Sequence, residues 1–263
     1  MRTAPALPSL TGMTDEAYTN PRLAAFYDPL DTDRPDLDVY ADIARELGAR
    51  QILDVGCGTG TLALLLAGQG FGVTGVDPAG ASLDLARAKP GADRVRWLHG
   101  DATGLPGLSV DLAVMTGNAA QAVVDEQVWA GTLRGVREAL RPGGWFVFET
   151  RDPARRAWEE WTPERSRRSV HVPGTGEVET WYEVTDVSWP FVTFRTVIVL
   201  RATGEELRSL STLRFRERDE VAAALESHGF AVAEVRDAPD RPGKEFVFFA
   251  RTPGEVVSPR RRS

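Results

Sequence analysis

The stretch from Gln51 to Gly68 constrains this chain most. Gln51-Ile-Leu-Asp-Val55 is a short, nearly continuous apolar run, as expected of a strand covered on both faces. Gly56-Cys-Gly-Thr-Gly60 follows at once, and Thr61 to Gly68 (TLALLLAG) reads as a helix. A strand that turns directly into a helix through glycines fits an open α/β sheet, whose ligands bind at the carboxyl ends of its strands.

The alternation continues. Gly72 to Asp77 reads as a strand and Ala81 to Lys89 as a helix. Val95 to Leu98 and Val110 to Thr116 read as strands, Glu126 to Leu140 as a helix, and Gly144 to Thr150 as a fifth strand after a turn at Arg141-Pro-Gly-Gly144. Upstream, Leu37, Tyr40, Ile43, Ala44 and Leu47 recur at helical spacing over Asp36 to Leu47, and Gly48 stops that helix. The rhythm then changes. Val178 to Val187, Phe191 to Arg201 and Glu206 to Phe215 alternate apolar or aromatic with charged residues, which predicts antiparallel strands. Asp219 to His228 is a further helix, and Phe230 to Val235 and Glu245 to Arg251 are the last two strands. The expectation is an α/β core of residues 21–150 and 217–252 carrying an antiparallel β insertion at 151–216, with a tail or cap at 1–20 and a tail at 253–263. A chain of 263 residues can bury such a core without disulfides.

Composition narrows the function classes. The formal charge of −7 argues against a nucleic-acid partner, because counterion release needs clustered Lys and Arg. Cys57 is the single cysteine, which excludes a disulfide framework and multi-cysteine metal sites. His99, His171 and His228 lie far apart, so no metal cage is expected. No apolar run approaches the roughly 20 residues of a membrane span, and the first residues lack a signal-peptide core. A cytoplasmic protein with no membrane partner is expected.

The glycine loop has three possible ligand classes. A GxxxxGK[ST] phosphate loop needs a lysine, which this loop lacks. A dinucleotide loop reads GxGxxG, whereas here Thr61 takes the sixth position. Asp54, just before the loop, would repel a pyrophosphate and suits a cationic ligand. Asp77 ends the second strand 21 residues after Gly56, about the spacing at which an acid accepts from ribose hydroxyls. Asp101, in Leu98-His-Gly-Asp-Ala102, is placed to meet an adenine amino group. Blander readings stand beside these: a plain tight turn for the glycines, a helix cap for Asp77, and turn chemistry for Asp101. With no base nearby, the Cys57 thiol is expected to be packed rather than nucleophilic.

Asn118 and Gln121 follow the fourth strand, where their amides touch a ligand or Asn118 caps a helix. Glu149 and Arg151 end the fifth strand and either face an acceptor or form a surface salt bridge. Trp158, Trp161, Trp181, Tyr182 and Trp189 are expected to be mostly the core of the insertion, with one or two free to stack on an acceptor. His228 is expected at an exposed helix end, and His171 is the one histidine weighed as a general base.

Taken together, LDVGCGTG, VTGVDPA, HGDATGLP, DLAVMTGN and LRPGGWFVFE resemble, in order and spacing, the class I S-adenosylmethionine-dependent methyltransferases over residues 36–150. The resemblance implies a Rossmann-like seven-stranded sheet in the order 3-2-1-4-5-7-6, its last strand antiparallel, with S-adenosylmethionine as cofactor. It places Asp54, Gly56, Cys57, Gly58 and Gly60 at the methionine part, Asp77 and Pro78 at the ribose, Asp101 and Ala102 at the adenine, and Thr116, Asn118 and Gln121 beside the methionyl group. Tyr27, in Phe26-Tyr-Asp-Pro-Leu30, resembles aromatic residues that close over the cofactor, core packing being its alternative. His171, Tyr27 and Arg151 are the candidate catalytic residues. The fourth strand is followed by Thr116-Gly-Asn118 rather than [DN]PP[YF], and no Pro-Cys nucleophile is present. A small-molecule acceptor methylated at O or N by in-line displacement is therefore expected, with the insertion as acceptor lid or homodimer element. Aminopropyl transfer, a non-catalytic S-adenosylmethionine-binding protein and, against Asp54, a nicotinamide oxidoreductase are the alternatives.

Overall fold

The computed structural model describes residues 15–32 and 34–254. The expected tails at 1–14 and 255–263 lie outside the described residues. Parallel strands β1 (Gln51–Val55), β2 (Gly72–Asp77), β3 (Val95–His99), β4 (Val110–Met115) and β5 (Leu140–Arg151) join β10 (Ala231–Asp237) and β11 (Glu245–Arg251) in one sheet of order β3-β2-β1-β4-β5-β11-β10. In core-strand terms this is the expected 3-2-1-4-5-7-6, and β11 runs antiparallel to both neighbours. Register pairs Val55 with Val76 and Asp77 with His99, so the tips of β1, β2 and β3 line up on one edge.

Both faces of this sheet are covered. Helix α8 (Glu126–Ala139) and α10 (Arg218–Ser227) bury Trp129, Leu133, Val136 and Leu225 with Phe146, Phe148 and Phe248 on one side. Helices α4 (Asp36–Glu46) and α5 (Thr61–Gly68) bury Leu37, Ile43, Leu62 and Leu66 with Ile52, Val114 and Phe249 on the other. Burial on two faces is why β1 reads as an unbroken apolar run.

The expected turn at Arg141-Pro-Gly-Gly144 is instead the bulged start of β5. Leu140 already pairs with Val110, and the register shifts before Leu112 meets Trp145. The chain's last described residues take up the segment's polar groups: Gly143 N–H donates to Pro253 O (3.0 Å) and Thr252 N–H to Gly144 O (2.9 Å). No local pattern announces a partner 110 residues away.

Between β5 and α10, strands β6 (Arg168–Val172), β7 (Gly176–Ser188), β8 (Phe191–Leu200) and β9 (Glu205–Arg214) form a second, wholly antiparallel sheet. The sequence pattern shows β7, β8 and β9. The five-residue β6 carries too little alternation to stand out. Residues 15–20, expected as part of a loose tail or cap, are ordered in short helices. Asp15 caps α1 (Glu16–Thr19) by accepting from Ala17 N–H at 2.8 Å, and Asn20 caps α2 (Pro21–Ala24) by accepting from Arg22 N–H at 3.0 Å. Leu23 and Phe26 then pack against Val172, Val178 and Ile198 of the second sheet.

One glycine decides how closely α8 approaches the sheet edge. A Cβ on Gly135 would stand 1.7 Å from the Ala102 carbonyl oxygen, whereas one on Gly68 would meet nothing within 4 Å. Gly135→Ala should destabilise the protein by about 1–3 kcal/mol through overpacking, despite alanine's better helix propensity. Gly68→Ala should be neutral or stabilising by up to about 1 kcal/mol. Urea unfolding of the two variants checks this.

Candidate functional site

The loop after β1 is pinned from below. Gly56 N–H and Cys57 N–H both donate to Val76 O, at 2.9 and 3.1 Å, and Gly60 N–H donates to Cys57 O at 2.8 Å. Gly56, Gly58 and Gly60 all have positive φ (73°, 53° and 79°), a region that side chains rarely adopt. A Cβ on Gly60 would strike the Trp97 ring at 2.5 Å and one on Gly56 would crowd Ala119 at 3.1 Å, but one on Gly58 would enter open space. Two glycines thus let chain segments pack closely, and the third leaves the backbone approachable. The Cys57 thiol is buried against Gly75, and burial, then Asp54 and Asp77, push it far above its ordinary range. It is a packed thiol.

The two acids lie under this loop. Asp54 is 1% exposed, and its Oδ2 has no hydrogen-bond partner among the described residues. Burial, then the charge of Asp77, push its carboxyl up to about 7. Asp77 is also buried and raised by burial. Its Oδ2 accepts from Gly58 N–H (2.8 Å) and its Oδ1 from Ala79 N–H (2.7 Å), so it braces the glycine loop as well as the turn before α6 (Gly80–Ala88). Pro78 follows, its carbonyl 3.1 Å from His99 Nε2. Asp101 is exposed at the next strand tip, where Oδ1 accepts from Thr103 N–H at 2.8 Å and from the Thr103 hydroxyl, above a buried Ala102. Turn chemistry therefore holds Asp101 in place.

Across β4 the arrangement differs from the sequence expectation. Asn118 stands at the N-cap position of α7 (Ala119–Ala122) with φ 59°, but its side chain does not cap it. Its Nδ2 donates to Glu245 Oε1 (3.0 Å) and its backbone N–H to Glu149 Oε1 (3.2 Å). Glu149, weighed as one half of a surface salt bridge, is 5% exposed and takes a 2.7 Å hydrogen bond from Tyr40 Oη. Arg151 Nη1 donates to Gln121 Oε1 (2.9 Å), its Nε lies 3.8 Å from Glu245 Oε1, and its guanidinium sits 5.4 Å from the Trp161 ring centroid. Arg241 Nη1 also donates to Glu245 Oε1 (2.8 Å). Burial raises the Glu149 carboxyl and lowers Arg151. Asn118 Oδ1 and Gln121 Nε2 are buried without partners among the described residues. Thr116, half-buried, follows the last residue of β4 and leads into them.

His171 does not join this cluster. It stands exposed on β6, its Nδ1 3.1 Å from Glu177 Oε1, because the β6–β7 register places the two opposite each other. Tyr27, in α3 (Tyr27–Leu30), does reach the post-β4 turn: a Cβ on Gly117 would lie 3.9 Å from its Oη, and its ring packs edge-on to Tyr18 at 5.7 Å.

Several functional residues escaped sequence reasoning. Asp28 accepts from the hydroxyls of Thr59 (2.6 Å) and Thr61 (3.1 Å), and Lys89 pairs with Asp28 (2.6 Å) while donating to Thr59 O (2.7 Å). The loop without a lysine of its own thus receives one from the end of α6. Arg216, 3% exposed, donates to the carbonyls of Ala120 (3.2 Å) and Val123 (2.8 Å), anchoring α7 and hence Gln121. Nothing local signals this, because Arg216 is one of several charged residues in Arg214-Phe-Arg-Glu-Arg218.

A methyltransferase-domain family model matches residues 52–144. Residues 52–144 thus carry a methyltransferase domain, and the chain has the fold of S-adenosylmethionine-dependent methyltransferases. It is 34% identical over 111 residues to the cypemycin N-terminal methyltransferase of a Streptomyces species, covering 42% of this chain and 45% of that one. The chain thus spans about half the length or less of the curated relatives it matches. Among solved structures, the CcbJ methyltransferase of Streptomyces caelestis superposes with TM-score 0.72 at 22% identity, covering 92% of this chain and 100% of that one. The S-adenosylmethionine-bound CalS10, an amino pentose methyltransferase from Micromonospora echinaspora, gives TM-score 0.65 at 25% identity over 87% and 95%.

S-adenosylmethionine, the cofactor of such methyltransferases, is cationic, and this site offers acids to such a charge. The orphaned Asp54 Oδ2, the open Gly58 backbone, and Asn118 Oδ1 and Gln121 Nε2, which lack partners among the described residues, fit such a group. Without ligand, Asp54 keeps its proton to higher pH when folded (about 7) than at its ordinary 3.8. Its contribution to stability is therefore full below pH 3.8 and is lost as pH rises to about 7. Thermal melts should show that Asp54→Asn flattens this fall. S-adenosylmethionine, by favouring the ionised acid, should bind more tightly across the same window in wild type but not in the variant.

Proposed function

We propose that this protein transfers the methyl group of S-adenosylmethionine to an O or N atom of a small-molecule acceptor by in-line displacement. The observation that carries the reading is the buried acid pair Asp54 and Asp77 under an open glycine loop, one carboxylate oxygen left without a partner among the described residues. Bound there, S-adenosylmethionine supplies a methyl carbon already activated by its sulfonium.

On this reading Asp54, Gly56, Cys57, Gly58 and Gly60 form the methionine side. Asp77, whose carboxylate oxygens retain accepting capacity beyond the two amides, takes the ribose hydroxyls beside Pro78. Asp101 and Ala102 edge the adenine. Thr116, Asn118 and Gln121 stand between cofactor and acceptor, with Gln121 oriented by Arg151. Tyr27 closes from the N-terminal segment. Burial raises its phenol, so it holds its proton and serves as a hydrogen-bond donor that orients the acceptor rather than as a base. His171, exposed on β6 and paired with Glu177, is given no role in this reading. Alignment of the acceptor and exclusion of water by the insertion, residues 151–216, then supply most of the acceleration. The likeness to an amino pentose methyltransferase supports a small-molecule acceptor.

Isothermal titration with S-adenosylmethionine should give saturable binding, and incubation with metabolite pools should release S-adenosylhomocysteine. No heat at millimolar ligand would end the reading. Asp77→Ala should weaken cofactor binding by about 1–3 kcal/mol through lost buried hydrogen bonds. Unchanged affinity would remove Asp77 from the site.

A further inference from the structure

Beside the acceptor edge runs a groove that the proposed chemistry does not use. It encloses about 400 Å³ and lies between the turns of residues 156–163 and the 183–187 portion of β7. Its walls are Trp158, Trp161, Pro163, Val184 and Val187. Trp158 is buried edge-on to Phe215, with ring centroids 4.6 Å apart, and Trp161 packs on Phe194 at 4.8 Å, so the walls are rigid. The opening is apolar as well. Val187 (48% exposed) lines it, and Trp189 (54% exposed) lies with its ring centroid 6.0 Å from that of Trp158. These are two of the four large hydrophobic residues exposed among the described residues.

The charges at the rim are already satisfied. Arg156 pairs with Glu159 at 2.9 Å, and Glu183 accepts from Trp181 Nε1 (2.8 Å) and Arg195 (2.9 Å). The groove therefore offers aromatic and aliphatic surface without a free charge, which selects an uncharged apolar occupant. Trp161 is the residue it shares with the candidate acceptor edge, since Trp161 lines the groove and also carries the Arg151 guanidinium 5.4 Å from its ring centroid. Pockets for drug-sized ligands run from about 300 to 1,000 Å³, so this groove far exceeds what a simple amino acid needs.

We infer that the groove is an extended acceptor subsite that seats a neutral aryl or fused-ring body, while the group to be methylated reaches past Trp161 to Arg151 and Gln121. The acceptor class is then an apolar scaffold bearing a nucleophilic hydroxyl or amine. This inference rests on the methyl-transfer reading of the adjoining site.

The test uses 2-naphthol, a neutral aryl probe, titrated into full-length protein saturated with S-adenosylhomocysteine. Wild type should bind it saturably, and Val187→Glu, at the exposed rim, should weaken binding by at least about tenfold, equivalent to one decade in Kd. Thr162→Trp, which fills the groove from the opposite wall, should do the same. Leu210→Glu, an exposed leucine on β9 outside the groove, should leave binding unchanged, and all three variants should keep wild-type affinity for S-adenosylhomocysteine. Absence of 2-naphthol binding, or binding that survives both groove variants, would overturn the subsite. So would light scattering showing that Val187→Glu turns a dimer into monomers, because the groove would then be a subunit interface. Failure of wild type to bind S-adenosylhomocysteine would instead strike the methyl-transfer reading itself.

Discussion

The site is organised around a repulsion. Asp54 and Asp77 stand at neighbouring strand tips, burial raises both carboxyls, the charge of Asp77 raises Asp54 further, and Asp54 Oδ2 has no partner among the described residues. A buried carboxylate without a counter-charge is costly, and in practice such a group keeps its proton. The parallel sheet holds the two acids at this separation because β1 and β2 are paired residue for residue from Gln51 and Gly72 to Val55 and Val76. The fold thus holds an electrostatic need in place, and a positively charged ligand is what relieves it.

The acceptor edge solves the opposite problem. Glu149 and Glu245 are also buried, but Tyr40, Asn118, Arg151 and Arg241 answer them. Removing one member would leave its partner's charge desolvated, so the network works as a unit. It also draws together β4, β5, β11 and α4, which places Gln121 and Arg151 on stiff supports. Arg216 adds a tie from the end of the insertion to α7. The second sheet is therefore coupled to the post-β4 turn by hydrogen bonds as well as by chain connectivity.

The N-terminal helices join the two halves. Their apolar face packs on the second sheet through Leu23 and Phe26, while Asp28 grips the glycine loop through Thr59, Thr61 and Lys89. Most of these bonds lie at partly exposed positions, so each contributes modestly and they open more readily than the sheet beneath. A segment held this way can release the cofactor edge without unfolding the core.

Much of this was readable along the chain. The sheet order followed from strand and helix periodicity together with the five-segment resemblance, because repeated burial on two faces writes itself into consecutive residues. The glycine loop and its acids were legible because their spacing is set by one strand and one turn. Tyr40 read only as a core position of a helix, and Glu245 as the first residue of a strand, since their shared network depends on contacts more than 100 residues apart. The pairing of His171 with Glu177 was not legible, because nothing local says which residue β7 sets opposite it. The amino-acid order by itself determined the elements, their sequence and the acid-edged loop, for these depend on neighbours in the chain. Only the tertiary structure decided which polar groups become buried partners, because desolvation and pairing arise where distant segments meet.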